Sequence, residues 1–415
     1  MAAGDAFYQP RNYEGTEGIF STRRKHDLSD KMIFEDRTTA AFLNVLSRNL
    51  TKQMVKDPEP KILNYVPESN VFGTLMNASA AGTGTRFDIA DAYAQQLQVG
   101  DDLLVVAKTM INTTVIERVT VTAVGTVGGG NDASTQVTVA RDQNGVGAIN
   151  IVNANFDIVW AGNSVAEGEA GGYPIGKEPG SLTNYTQTFE KTIGETRTRK
   201  NTDIYAKMDL AKQAKLKREL LMEEIELAFF LGSLDKETVS GKTKRWTRGV
   251  LESIPADNKQ SLANLMSPYL LAKFAEEHAF AQGNKRNVKW WFVGGGLQTL
   301  IDGIFYNDSQ IYKTNMDLSK YYGYRIKTLS FGAGDFNVVK CPAFRGTGLY
   351  SNGFIIDMDY VAYMYLQNSD LQIVPNTESA SAKWNRTEWK LFGELGLMMT
   401  FLNSHLFTYG ATFPE

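Results

Sequence analysis

The sequence predicts an α+β protein with a small antiparallel β-domain inserted in it. Three observations predict this. A long helix occupies the middle of the chain, over about residues 204–231. Short β-branched runs broken by Gly/Asn/Asp turns crowd the stretch from Val99 to Trp160. Beyond Tyr322 strand patterning returns, after a helical region around Ser261–Phe305.

Composition bounds the rest. At 415 residues the chain is long enough for two or three domains. Apolar residues make up 43% and charged residues 21%, the balance of a folded soluble protein. A net charge of -3 supplies no strong field toward nucleic acid or membrane. One cysteine, Cys341, excludes a disulfide framework within the chain and fits a reducing cytoplasm. The opening residues, MAAGDAFYQPRNYEG, lack the apolar core of a signal peptide, and no apolar run is long enough to span a bilayer. The 37 glycines against 11 prolines favour turns and strands over disordered linkers.

Residues 1–31 are polar and aperiodic, and read as an extended arm. Ala41, Phe42, Val45, Leu46, Asn49 and Leu50 recur at helical spacing, with Asp36 or Thr38 as caps and KDPEP (56–60) as the stop. Lys61–Pro67 reads as a strand. The runs LLVVAK, ERVTVTAV, STQVTVAR and NFDIVWAG then build the β-domain. Tyr185–Arg199 alternates in character and suits a long exposed β-arm. Asn201, Thr202 and Asp203 offer N-caps for the long helix, roughly 40 Å in length, and Gly232 suits its end. Its apolar stripe is Met208, Ala211, Ala214, Leu221, Ile225 and Ala228. Ser261 caps a second helix to Ala281, which Pro268 kinks or splits. VKWWFV (Val288–Val293) is a buried strand, followed by a helix from Leu297 to Phe305. The last segment, WKLFGELGLMMTFLNSHLFTYGAT, reads as two strands around a turn.

The long helix has an unusual charge order. Lys207, Lys212, Lys215, Lys217 and Arg218 fill its first part, and Glu219, Glu223, Glu224 and Glu226 its second. A free helix prefers acids early and bases late. The inversion points to charges placed for neighbours.

No constellation carries catalysis. GGYPIGK (171–177) has the spacing of a phosphate loop, but Glu178, Pro179 and Gly180 follow where a hydroxyl and a helix are needed. Gly294–Gly296 joins a strand to a helix, but Thr299 stands where a dinucleotide fingerprint needs glycine. His26, His278, His405 and Cys341 form no metal-ligand spacing. Asp357 and Asp359 alternate on an expected strand and point to one side, an arrangement more often structural than acid–base. The basic clusters Arg197, Arg199, Lys200 and Lys242, Lys244, Arg245, Trp246, Arg248 suit subunit contacts better than nucleic acid, given the net charge.

The order of parts resembles the major capsid proteins of tailed bacteriophages with the HK97-like fold, most nearly the SU10-type major head proteins. The segments that carry the resemblance are YTQTFEKTIGETRTRKNTDIYAK, IELAFFLG, VKWWFVGGGLQTLIDGIF, YYGYRIKTLSFGAGDFNVV, FIIDMDYVAYMYL and WKLFGELGLMMTFLNSHLFTYG. The resemblance implies an N-terminal arm with a short helix over 1–60. It implies an extended β-arm (E-loop) over 61–98 and 161–203, with the inserted β-domain at 99–160. A peripheral domain with the spine helix would take 204–258, an axial domain 259–355, and completing strands 356–415.

It further implies pentamers and hexamers of this chain, closed as an icosahedral head around double-stranded DNA that is contacted non-specifically. Scaffolding, portal and decoration proteins are the other implied partners. No enzyme activity, cofactor, metal or membrane is expected. The location is the virion, with assembly in the host cytoplasm. The inter-subunit contact candidates are Lys191, Arg197, Arg199, Lys200, Lys212, Lys215, Arg218, Glu219, Glu223 and Glu224. Lys191 lies on the element that carries a cross-linking lysine in some relatives, but no partner Asn or catalytic Glu can be named. The alternatives are an encapsulin-like compartment shell, another virion structural protein, and an α/β enzyme with a carbohydrate-binding-like module.

Overall fold

The computed structural model describes residues 40–49, 52–64, 70–74, 77–78, 84–107, 116–126, 134–141, 156–163, 180–202, 210–263, 267–281, 287–305, 312–322, 324–375 and 386–411. The chain forms two units, one of Met1–Ile62 with Leu182–Glu415 and one of Leu63–Ser181. The arm expected over residues 1–31 and the GGYPIGK segment lie outside the described residues. Helix α1 (Ala41–Asn49) is amphipathic as expected, and buries Ala41, Phe42, Val45 and Leu46. Its expected caps, Asp36 and Thr38, lie outside the described residues. Ala40 precedes its first turn and has no side-chain acceptor. Strands β1 (Gln53–Val55) and β2 (Lys61–Asn64) follow.

The unit Leu63–Ser181 is built from β3 (Val71–Thr74), β4 (Asn77–Ala78), β5 (Arg86–Ala90), α2 (Asp91–Ala94), β6 (Asp101–Ala107), β7 (Ile116–Val124), β8 (Ser134–Ala140) and β9 (Phe156–Asn163). Its strands pair in the order β3-β9-β6-β7-β8-β5-β4, every pair antiparallel. β3 and β4 stand at the two ends of that order, yet only two residues separate them in the chain. The ladder therefore curls like a barrel, its first and last strands joined by a short stretch of chain. Strand alternation fills it with Phe72, Phe87, Ile89, Leu103, Val105, Val119, Val121, Val137, Val139 and Ile158. Each such side chain contributes roughly 1.5–3 kcal/mol by leaving water. The β-domain expected at 99–160 is thus too small. β3, β4 and β5 were expected in an extended arm at 61–98, but they complete the barrel.

The other unit resumes with β10 (Gly180–Thr183), which pairs with β2. Then come β11 (Gln187–Thr196), α3 (Arg197–Asn201), α4 (Leu210–Leu231), β12 (Asp235–Val239), β13 (Lys242–Trp246), α5 (Val250–Ser253), β14 (Lys259–Ser261) and α6 (Pro268–Phe274). They are followed by β15 (Val288–Val293), α7 (Gly295–Ile304), β16 (Tyr312–Thr314), α8 (Met316–Tyr322), β17 (Ile326–Ser330), β18 (Asp335–Lys340) and β19 (Gly353–Ile356). Last are β20 (Val361–Leu366), β21 (Gln372–Pro375), β22 (Arg386–Met399) and β23 (Leu406–Tyr409). One sheet runs β1-β20-β22-β11, with β21 also on β22. The other runs β14-β23-β19-β15-β18-β17-β16.

VKWWFV is central in the second sheet, parallel to β18 and antiparallel to β19. Both faces of β15 are covered, as its apolar run predicts. Trp290 and Phe292 point into a core shared with α1, α4 and the first sheet, whereas Trp291 and Val293 point into a core under α6 and α7. Phe230 of α4 sits among Phe42, Phe292, Phe344 and Phe354, at centroid distances of 4.7, 6.1, 4.8 and 4.9 Å.

Several expectations are corrected. Tyr185–Arg199 is not a free arm: β11 pairs with β22 over ten residues and buries Phe189, Ile193 and Glu195. Arg197 and Arg199 leave the strand and enter α3. Asn201 and Thr202 do not start the long helix; they close α3, where Thr202 Oγ1 donates to the Thr198 carbonyl at 2.7 Å. Residues 203–209, with Met208, lie outside the described residues. Of the expected stripe of α4, Ala211 is exposed and Ala228 half-buried, while Phe229 and Phe230 carry the core contact. Ser261 ends a strand. Pro268 neither kinks nor splits a helix but begins one, capped by Ser267, whose Oγ accepts from Leu270 N at 3.2 Å. β22 and β23 are the two strands expected around a turn, and they belong to different sheets.

Candidate functional site

The junction of β11, α3 and α4 holds most of the contact candidates. α3 buries none of its residues, and Thr196 caps it by accepting from Arg199 N at 3.3 Å. Arg197, Arg199 and Lys200 are exposed on it. Among the described residues, neither Arg197 nor Arg199 has an ion pair within the chain. Lys212, Lys215 and Arg218 are exposed on the first turns of α4, where Ala214 is the only buried residue before Leu221. Lys215 faces Glu219 at 4.0 Å along the helix. Lys191 reaches Glu224 at 2.6 Å, which ties β11 to α4 within one chain. Glu223 is half-buried. The basic block therefore faces outward, while the acids are largely engaged by their own subunit.

Glu226 had been grouped with the outward acids, and it is fully buried. Its Oε2 accepts from the backbone amides of Phe42 at 2.9 Å and Leu43 at 3.2 Å. A carboxyl from 184 residues away thus supplies the capping oxygen that Ala40 lacks. Burial pushes this carboxyl up to about 8, against the pull of the Leu43, Phe42 and Ala41 amides, and Glu223 adds repulsion. The sequence held one signal. Glu226 lies four residues from both Met222 and Phe230, which is apolar-face spacing.

A second buried polar group ties the strands together. Lys289 Nζ donates to the Ser404 carbonyl at 2.5 Å and lies 3.2 Å from Ser404 Oγ. Ser404 Oγ donates to Asp357 Oδ2 at 3.1 Å, and the Asp357 amide donates to His405 Nδ1 at 3.2 Å. His405 Nε2 faces the Thr400 carbonyl at 3.3 Å, so the ring is the neutral tautomer with its proton on Nε2. Burial lowers the Lys289 ammonium to about 8 against the attraction of Asp357, and raises the Asp357 carboxyl. Burial and the Lys289 charge lower His405 to about 3. All four residues are buried, so the group braces β15 against two turns and meets no substrate. Asp357 and Asp359 do not share a strand face. Asp357 Oδ1 instead accepts from the Asp359 amide at 3.1 Å and caps the turn Met358–Tyr360.

The remaining motifs resolve structurally. At Gly294–Gly296 the amides of Gly294 and Gly296 donate to the carbonyls of Asn352 and Tyr350. A Cβ on Gly294 would lie 2.2 Å from the Tyr350 carbonyl oxygen, so the glycine serves close packing. His278 packs beside Phe274, and His26 lies outside the described residues. Among the described residues, no group of three or more His, Cys, Asp or Glu could hold a metal, and no helix is long and apolar enough to cross a membrane.

Comparison with known proteins completes the picture. No curated protein matches the chain. Among solved structures, the chain is similar to the capsid of an empty GTA particle, at 9% identity and TM-score 0.44, covering 96% of this chain and 98% of that one. It is also similar to the capsid of the cyanophage P-SCSP1u, at 9% identity and TM-score 0.42, covering 96% and 95%. A holo encapsulin complex from Synechococcus elongatus is similar over less of the chain, at 9% identity and TM-score 0.34, covering 57% and 79%. The sequence pattern of one family matches residues 21–408, nearly the whole chain. That match agrees with the α+β class and the HK97-like layout expected from the order of parts. The chain belongs to the SU10 major capsid protein family and is a capsid protein of a tailed bacteriophage.

Proposed function

We propose that copies of this chain join as pentamers and hexamers and close into the icosahedral head that encloses double-stranded DNA. The observation that carries this reading is the family match over residues 21–408. The role is structural, with no catalytic step. Scaffolding, portal and decoration proteins are its further partners, and its contact with DNA is non-specific. It assembles in the host cytoplasm and resides in the virion. Arg197, Arg199, Lys200, Lys212 and Arg218 reach neighbouring copies. Lys191, Lys215, Glu219, Glu223 and Glu224 set the junction from which those cations project. Exposed ion pairs are individually weak and screened by salt, and many of them together add by multivalency. Purified protein, with its scaffolding partner where one is required, forms capsomers or closed shells under negative-stain electron microscopy. A persistent monomer with hydrolytic or transfer activity would sink this reading.

A further inference from the structure

α1 is held to the core by two different kinds of contact. Phe42, Val45 and Leu46 are buried, and the Phe42 ring lies 4.7 Å from Phe230 and 5.1 Å from Phe292. At the N-terminus of α1, Glu226 Oε2 takes the amides of Phe42 and Leu43. The other oxygen, Oε1, is buried with no hydrogen-bond partner among the described residues. A neutral carboxyl tolerates that position. A carboxylate there leaves a charged oxygen without solvation. Glu223 on the same helix makes ionisation harder by repulsion, and the Cys341 thiol, pushed up by its burial and by Glu226, stays a neutral neighbour. No lysine or arginine among the described residues offsets the charge.

We propose that Glu226 is a proton-operated latch on α1: protonated, it keeps α1 docked; ionised, it loosens α1 from the core. Undocking relieves the ionised form, because water then reaches both oxygens. Apolar burial of Phe42, Val45 and Leu46 opposes release, so the response is a graded rise in opening.

The direction with pH follows from the two states. The docked carboxyl titrates near 8 and the exposed one near 4.5. The docked state binds the extra proton between those values. Docking is therefore strongest below 4.5, weakens as pH rises, and levels off above 8. Between pH 6 and 9 the opening of α1 rises by about tenfold to a hundredfold.

Hydrogen–deuterium exchange of the full chain as unassembled subunits tests this across that pH range. Rates are corrected for the intrinsic pH dependence of exchange and compared with the β15 amides. The expected result is a loss of protection confined to residues 41–49 as pH rises. Glu226→Gln should hold α1 docked with a flat response, and Cys341→Ala should keep the wild-type response. Uniform protection of α1 in the wild-type chain across the series overturns the latch. So does a wild-type response in Glu226→Gln, or a flat one in Cys341→Ala. If Glu226→Gln does not fold, the wild-type series and Cys341→Ala still decide. The inference does not rest on shell formation, so its failure and that of the capsid reading are separate outcomes.

Discussion

The barrel of Leu63–Ser181 and the larger unit differ in how they satisfy their own strands and charges. In the barrel-like unit the first and last strands of the ladder, β3 and β4, are neighbours in the chain. Its buried ion pair is local and bidentate: Arg141 reaches the two Glu117 oxygens at 2.7 and 2.6 Å and also donates to the Gly84 carbonyl at 3.0 Å. The larger unit has two large open sheets beside the two-stranded pairs β2–β10 and β12–β13. Two of its buried charged groups, Glu226 and Lys289, find partners 184 and 115 residues away. An antiparallel ladder of sequential strands needs only alternation and turns. An open α+β unit needs distant segments brought into register. The second arrangement leaves open sheet edges and the exposed, charged helix α3.

The largest test of this contrast is a matched pair of core deletions. Phe230→Ala removes the ring that meets four others, and should destabilise the larger unit by about 3–5 kcal/mol. Leu103→Ala should destabilise the barrel by about 2–5 kcal/mol. Exchange-resolved denaturant melts should show each substitution lowering its own unit. If both units fall together under either one, the contrast breaks.

Acid supplies the next test. His405 titrates near 3 in the fold against 6.5 when free, so the unfolded chain binds the extra proton between those values. Stability of the larger unit is then lost as pH falls from 6.5 toward 3, by about 2 kcal/mol at pH 5. Asp357, raised by burial, offsets part of this loss. The barrel holds none of the three histidines and should keep its stability over that window. Equal acid sensitivity in both units would remove His405 as the cause.

The smallest effect on stability comes from reversing Arg197, Arg199 and Lys200 to Glu. α3 buries nothing, so the melt should move by less than about 0.5 kcal/mol. Assembly should nevertheless be blocked. Normal shells from this variant, seen by electron microscopy, would refute the role given to these cations.

Elements with an unambiguous local period were legible in the sequence. VKWWFV is buried on both faces because Trp290–Val293 is apolar without a break. The four barrel runs are strands because they alternate. α1 is a helix because Ala41, Phe42, Val45 and Leu46 share one face. The long helix ends at Gly232 as expected, where the Gly232 amide donates to the Ala228 carbonyl at 2.8 Å. Other features were not legible. Nothing in YTQTFEKTIGET distinguishes an exposed arm from a sheet strand, because an edge strand also alternates. Pro268 suits a kink or a helix start equally, and only the Ser267 cap separates them. Lys191 and Glu224 lie 33 positions apart, too far for any helical spacing rule to pair them.

By itself the sequence determined the α+β class, the inserted β-domain, the spine helix and membership in a capsid family. Those rest on periodicity, turn chemistry and the order of parts, all of which are local or linear. Only the tertiary structure decided that β3 and β4 join the two ends of the inserted unit's sheet, that β11 belongs to a sheet, and that Glu226 caps α1 while Glu219 and Glu224 pair with lysines. Those depend on which distant segments meet in space. A buried carboxyl and a solvated one are the same letter until the packing around them sets their solvation.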